Sequence, residues 1–352
     1  MSKESIKQLG EAIKTARTER GLSQEQLATM AGIDRGQLCK IEKGTIIGVA
    51  YETVCKIYSA LGMTLVPQKG QHKMKDLHPF VKWAGGKTQL LDAIQSHMPE
   101  SFGHYYEPFI GGGALLLKIH PESFTINDMN GELLSVYKCL CDDEAFSHLK
   151  EELIKHEANH SEEYYYEIRS MDHDPTFPNL PIWVRAGRMI YLNKACFNGL
   201  YRVNSKGFFN VPSGKKKSVN CFDRENLESL HAYFMESKPT ITQGDFEDAV
   251  KGAKPGDFVY FDPPYDTWED KDSFTSYAKD AFGKEAQARL AKCFRELANR
   301  GVYVMLSNHN TKYINELYVG FHINVVEAVR MINSKADGRG AVEEVLITNY
   351  EE

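Results

Sequence analysis

Residues 258–265 read Phe258-Val259-Tyr260-Phe261-Asp262-Pro263-Pro264-Tyr265, an apolar run that stops on a carboxylate, two prolines and an aromatic ring. Four β-branched and aromatic residues in a row predict a short buried strand. Proline fixes φ and has no N–H, so the turn after the strand is stiff and its carbonyls are free to accept hydrogen bonds. A flat ring beside fixed acceptors suits an exocyclic amino group on a planar base. The structural alternative is a proline-stiffened loop that closes a buried strand and does no chemistry.

Outward from this strand, the chain from Pro79 onward alternates predicted strands and helices, the mark of an α/β domain with a largely parallel sheet. Downstream, Glu285 to Leu297 is an amphipathic helix. Val302 to Leu306 is a strand ending at Ser307-Asn308-His309-Asn310, and Ile323 to Val329 and Val342 to Thr348 are late strands. Trp268 to Ala281 is polar and aromatic and predicts a loop able to close over a base; Asn333 to Gly340 predicts a basic turn that meets phosphates or simply closes a hairpin. Upstream, Glu107-Pro108-Phe109-Ile110-Gly111-Gly112-Gly113 follows the run His104-Tyr105-Tyr106 and leads into Ala114-Leu115-Leu116-Leu117. A glycine-rich strand-to-helix turn lets a ligand approach the backbone, although Leu116 stands where a dinucleotide fingerprint has its third glycine. Asp128 ends a further strand, at Thr125-Ile126-Asn127-Asp128, where it can receive a ribose diol or cap a helix. Phe80 to Thr88 resembles a phosphate loop only superficially: Val81 occupies the position of the first required glycine.

Length and composition set outer limits. A chain of 352 residues with 42% hydrophobic and 26% charged content fits a globular protein of two or three domains. No apolar stretch is long enough to span a bilayer, and Met1 to Ser5 lacks the apolar core of a signal peptide. Seven cysteines without a Cys-x-x-Cys pair point to reduced thiols and a cytoplasmic setting. The net charge of −6 is unevenly spread: residues 1–78 carry +4 and the remainder −10. Within the acidic part, residues 181–220 hold eight basic residues and no acidic ones. These are Arg185, Arg188, Lys194, Arg202, Lys206 and Lys215 to Lys217, interleaved with Trp183, Tyr191, Phe197, Tyr201, Phe208 and Phe209. That mixture suits a polyanion with stackable bases, or else a solvated basic loop.

The first segment, residues 1–67, reads as five short helices without strand signals. Ser23-Gln24-Glu25-Gln26 forms a capping box, and Asp34-Arg35-Gly36-Gln37 repeats the device eleven residues later. Leu27, Ala28, Ala31, Gly32 and Ile33 lie between them, and Leu38 and Ile41 give the second helix its apolar face. This spacing resembles the helix-turn-helix of the Cro/repressor family. The resemblance makes Arg35, Gln37 and Lys40 the candidates for a major groove. A small helical protein-interaction domain is the alternative. Residues 68–78 are polar and read as a linker.

Lys82-Trp83-Ala84-Gly85-Gly86-Lys87, then Glu107 to Gly113, Asn127-Asp128 and Asp262 to Tyr265 resemble, in order, the Dam-type DNA adenine-N6 methyltransferases. Tyr191-Leu192-Asn193-Lys194-Ala195-Cys196-Phe197-Asn198-Gly199-Leu200-Tyr201-Arg202, continuing through Gly207 to Pro212, looks like that family's target-recognition segment. The resemblance implies a Rossmann-like α/β methyltransferase sheet with an inserted, mainly helical target-recognition domain, preceded by the small all-α domain. The expected bounds are 79–145 with 246–352 for catalysis and 146–245 for target recognition. It further implies S-adenosyl-L-methionine as cofactor, double-stranded DNA as partner, no metal, and a short palindrome, most often GATC, as target. A cognate restriction endonuclease is a further expected partner. Trp83, Lys87, Glu107, Pro108, Phe109, Gly111, Gly113, Asp128 and Asp262 would contact the cofactor. Asp262, Pro263, Pro264 and Tyr265 would hold the target base. Lys82, Phe197, Asn198, Leu200 and Arg202 would meet DNA, Phe197 by entering the stack and Arg202 by reading a guanine. Phe197 stands where the family often has tyrosine, so ring insertion is kept and any hydroxyl contact is lost. Two alternatives stay open: cytosine-N4 methylation by similar chemistry, and a transcriptional regulator whose catalytic half is weak.

His156-Glu157-Ala158-Asn159-His160 matches the zinc-protease pattern His-Glu-x-x-His, but it lies in a charged helical stretch with no third ligand in view. Two solvated histidines on a polar helix are expected.

Overall fold

The computed structural model describes residues 3–45, 51–63, 77–83, 85, 87, 90–267, 282–329 and 341–351. The expected base-covering loop at 268–281, the basic turn at 333–340 and linker residues 68–76 lie outside them. The chain divides into two compact units, residues 1–73 and 74–352.

Among its described residues the first unit has the helices Lys3–Glu19, Gln24–Ala31, Arg35–Glu42 and Tyr51–Ala60. The first runs 17 residues because nothing breaks its apolar spacing until Gly21; Gly10 sits inside it where the Arg35–Glu42 helix crosses, and a Cβ there would lie 2.2 Å from the Ile41 carbonyl oxygen. Ser23 and Gln26 complete the capping box in both directions, and Gly32 ends that helix at φ +63°. The second start keeps the forward half, Asp34 Oδ1 accepting from the Gln37 N–H at 3.0 Å. Ile13, Leu27, Ala31, Leu38, Ile41, Ile57 and Leu61 form this unit's core.

The second unit is built on a seven-stranded sheet. Its strands are β1 (Tyr105–Glu107), β2 (Phe124–Asp128), β3 (Thr240–Gln243), β4 (Phe258–Phe261), β5 (Tyr303–His309), β6 (His322–Val329) and β7 (Ala341–Thr348). The spatial order is β3-β2-β1-β4-β5-β7-β6, with the first five parallel and β7 antiparallel to both β5 and β6. Chain order therefore runs outward from the β1/β4 pair in both directions, to β3 on one side and to β5 on the other, beyond which β7 lies inside β6. In open α/β sheets the crevice at such a reversal, beyond the carboxyl ends of the strands, is where ligands bind. Strand alternation divides the core between two faces: Tyr105, Phe258, Tyr260 and Met305 pack on one, and Tyr106, Val259, Phe261 and Val304 on the other. The segment 143–237 between β2 and β3 is mainly helical, and its helix Ile182–Ala195 packs on Gly131–Cys139 and Asp143–Ala158. Thr240–Gln243 falls inside the expected target-recognition segment but pairs with β2, so the sheet reaches back to residue 240.

Candidate active site

β1, β2 and β4 are parallel, so Glu107, Asp128 and Asp262 come together at the carboxyl edge of the sheet. β4 runs out at Phe261, and Asp262 follows with its side chain 20% exposed. Lys87 Nζ lies 2.9 Å from Asp262 Oδ1 and 4.4 Å from the centroid of the Tyr265 ring, and donates to the Gly85 carbonyl at 2.7 Å. Lys87 engages Oδ1 as a charged donor, and a carboxylate oxygen can accept from more than one donor, so Oδ1 has capacity for a second. Burial pushes the Asp262 carboxyl up, against the pull of Lys87, and the charge of Glu344 adds to the rise. The Tyr265 hydroxyl donates to Glu344 Oε2 at 2.8 Å, and its ring meets His309 edge-on, with centroids 4.9 Å apart.

The glycine turn after β1 packs close. Gly111 and Gly113 have φ +46° and +70°. A Cβ on Gly111 would lie 2.6 Å from Trp83 Cδ1, and one on Gly113 2.7 Å from the Tyr137 hydroxyl. That hydroxyl donates to the Gly111 carbonyl at 2.9 Å. Trp83 stacks on Tyr201, with centroids 5.2 Å apart. Pro108 offers its carbonyl to Asn127 Nδ2, while Phe109 packs on Phe246 and Phe282. Glu107 is buried and accepts from the Tyr105 hydroxyl at 2.8 Å; burial holds its carboxyl up at about 8, and the Asp262 charge adds to the rise. Asp128 accepts from the Asn130 and Gly111 N–H groups, at 2.9 and 3.1 Å, and burial raises its pKa. It does not cap the next helix; Asn130 does, accepting from the Glu132 and Leu133 N–H groups.

The basic segment forms a hairpin-like loop closed by the bridges Cys196 to Ser213 and Val203 to Phe209. Asn193, buried at the end of its helix, clasps Lys82 by its backbone N–H and carbonyl (2.9 and 2.8 Å) and reaches the Gly199 carbonyl at 3.0 Å. Lys82, Lys194, Phe197, Asn198 and Lys216 line one cleft of about 280 Å³. Asn198 has φ +56°, and Phe197 is 53% exposed. Arg202 Nε donates to Asn210 Oδ1 at 2.7 Å, which orients the guanidinium while the residue stays exposed.

Two arginines of the basic stretch point the other way. Arg188 is buried against Asp172 at 2.8 Å and donates to the Ile168 and Arg169 carbonyls, and Arg185 pairs with Glu132. They brace helices rather than face solvent. Tyr191 and Phe209 are likewise core residues. His156 is not solvated either. It is buried, stacks on Tyr191 with centroids 4.8 Å apart, shares a hydrogen bond with the Tyr164 hydroxyl, and burial drives its pKa down to about 4. His160 bonds the Tyr191 hydroxyl, and Glu157 accepts from the Cys221 N–H, so these three side chains tie the helix to its neighbours.

In the first unit, Arg35, Gln37 and Lys40 lie on the helix after the Gly32 turn. Arg35 and Lys40 are exposed, and Arg35 lies 3.4 Å from Glu25. Glu42 is buried against Arg17 at 2.6 Å.

A family profile described as D12 class N6 adenine-specific DNA methyltransferase matches residues 83–332. The chain belongs to this family. A second profile, a helix-turn-helix domain, matches residues 10–66. Three relatives give the scale of the likeness. The type II methyltransferase M1.LlaDCHI of Lactococcus lactis subsp. cremoris is 46% identical over 275 residues, 78% of this chain and 96% of the relative. The type II methyltransferase M.MjaIII of Methanocaldococcus jannaschii is 41% identical, over 78% of this chain and 100% of the relative. The DNA adenine methylase of Escherichia coli strain K12 is 33% identical, over 78% of this chain and 95% of the relative. The methyltransferase is thus an adenine-specific enzyme with a helix-turn-helix domain attached, and its family decides for adenine N6 over cytosine N4. Sequence reading missed Glu344, Asn193 and Asn210 as partners of its expected residues. Only Asn193 carried a signal, as a polar residue in the apolar run of its helix.

Proposed function

We propose that the chain transfers the methyl group of S-adenosyl-L-methionine to N6 of an adenine turned out of double-stranded DNA, within GATC or a related short palindrome. The observation that carries this reading is the Lys87 ammonium lodged between Asp262 and the Tyr265 ring. A pocket with a carboxylate on one side and a π face on the other is suited to a nitrogen that becomes positively charged. Asp262 Oδ1 and the Pro263 carbonyl accept the two N6 protons. The amino nitrogen then turns tetrahedral, and its lone pair is released from the ring. Tyr265 stacks on the base and holds it out of the duplex. The N6 lone pair forms the new N–C bond as the C–S bond breaks, its electrons pass to sulfur, and the surplus N6 proton leaves to water.

The cofactor supplies a methyl group activated by a positive sulfur. The residues present fit it. A turn with two positive-φ glycines leaves room at the backbone, Trp83 walls the turn, and Asp128, Glu107 and Asp262 place acid groups at three strand ends. Phe197, Asn198, Leu200 and Arg202, in a target-recognition segment that starts at 146 and ends before β3, meet the DNA around the extruded base together with Lys82. Arg35, Gln37 and Lys40 give the helix-turn-helix its own duplex contact. The type II names of two relatives favour a restriction–modification setting with a partner endonuclease, and the bacterial and phage relatives favour action on cytoplasmic DNA of a bacterium or phage.

Nucleoside analysis and modified-base sequencing of DNA treated with protein and labelled cofactor test the proposal. N6-methyladenine at one short palindrome is expected, and Asp262→Ala should abolish it. Label in another base, or full activity in Asp262→Ala, would refute it.

A further inference from the structure

Pro264 and Asp266 flank Tyr265, and two buried amides grip them from outside the motif. Gln287 lies on the inward face of the helix Lys284–Asn299 beside Leu290 and Ala291, and is 1% exposed. Asn308, at the end of β5, is wholly buried. Gln287 Nε2 donates to the Pro264 carbonyl at 2.9 Å. Asn308 Nδ2 donates to Gln287 Oε1 at 3.1 Å, and Asn308 Oδ1 accepts from the Asp266 and His309 N–H groups, both at 2.9 Å. Both amides are therefore used as donor and acceptor in sites that would suit leucine, and a buried amide is tolerated only when satisfied in this way.

The geometry points to Gln287 and Asn308 as positioning residues for methyl transfer, a clamp that decides which carbonyl of the Pro263-Pro264 turn faces the adenine amino group. Both prolines have φ fixed, so ψ is the soft torsion left at each. β4 holds the turn from upstream. Gln287 draws the Pro264 carbonyl toward the helix, and Asn308 fixes the N–H of Asp266, two residues on. The Pro263 carbonyl accepts no hydrogen bond from the described residues, and is the acceptor left for substrate. Without the clamp the turn can rotate and offer the wrong oxygen. The inference rests on the proposed role of Asp262 and Pro263 as acceptors for N6.

Gln287→Leu, Gln287→Glu and Asn308→Asp are compared with wild type and with Asp262→Ala. Four readouts are taken: thermal stability, cofactor affinity by calorimetry, fluorescence of 2-aminopurine at the target position, and single-turnover methylation. Gln287→Leu removes both hydrogen bonds. Gln287→Glu keeps the acceptor for Asn308 but sets a carboxylate against the Pro264 carbonyl. The expected result is a single-turnover rate about 10- to 100-fold lower in both, with extrusion signal and cofactor affinity within about twofold of wild type. Asn308→Asp, which keeps the acceptor for Asp266, should lose less. A rate within about threefold of wild type in the Gln287 variants overturns the clamp, as does a loss matched by equal losses of extrusion and affinity. If Gln287→Leu does not fold, the other two variants decide. An inactive Asp262→Ala beside active Gln287 variants means that the clamp fails and the reading of Asp262 stands; an active Asp262→Ala means that the reading itself fails.

Discussion

Arg202 shows how one neighbour can prepare a side chain for recognition. Its Nε donates to Asn210 Oδ1 and its Nη2, at 3.4 Å, to the Asn210 carbonyl, while the residue stays exposed, and a planar fork matches the two major-groove acceptors of guanine. Arg202→Ala is expected to cost about 1–3 kcal/mol of discrimination at one base, read as a rise in methylation of sites altered there relative to the true site. An equal loss on every sequence would make it a phosphate contact. Glu107 carries the clearest pH signature. Its folded pKa of about 8 lies well above the ordinary 4.5, so the folded state holds a proton that the unfolded chain has released. Below about 4.5 both states are protonated and burial costs nothing extra; as pH rises from there toward 8 the unfolded state gains and stability falls. Glu107→Gln keeps an acceptor for Tyr105 without the titration. Its melting temperature should exceed that of wild type at pH 7 to 8, with the difference shrinking toward pH 5. A difference independent of pH would show that Glu107 does not carry the proton.

Elements position these residues through close approach. Gly113 has φ +70°, and its Cα lies under the Tyr137 hydroxyl that holds the Gly111 carbonyl. Gly113→Ala therefore adds backbone strain of about 1–2 kcal/mol and pushes Tyr137 off its partner. Weaker cofactor binding by calorimetry, together with a lower melting temperature, is the expected outcome. Much of this architecture is legible in the chain: β4 and its corner, the glycine turn after β1, the acid ending β2 and the helix-turn-helix caps all follow from local patterns. Side-chain direction within a helix is not. Arg185, Arg188 and His156 look solvent-facing by charge, yet each has a buried or paired place, because their partners Glu132, Asp172 and Tyr164 sit on other elements that packing brings alongside. Gln287 is hidden for the converse reason: a glutamine in an amphipathic helix reads as surface until β5 supplies Asn308. Glu344 comes into play only through the β5–β7 pairing, which sets it opposite His309.

At the scale of the molecule, each unit closes its own core. The relatives align over nearly their full lengths with 78% of this chain, so they match nothing in the remaining fifth. Residues 77–352 expressed alone should fold and methylate DNA at a rate within about threefold of the full chain, whereas loss of activity on excision would tie the head to catalysis. The hairpin has a different consequence. Phe197, Leu200 and Val203 are 53, 39 and 41% exposed, grouped on one loop among lysines. A greasy fingertip ringed by positive charge is uncomfortable in plain water and prone to sticking to its own kind. If the lysines attract a duplex, as proposed, the same duplex is the shelter under which that fingertip becomes comfortable.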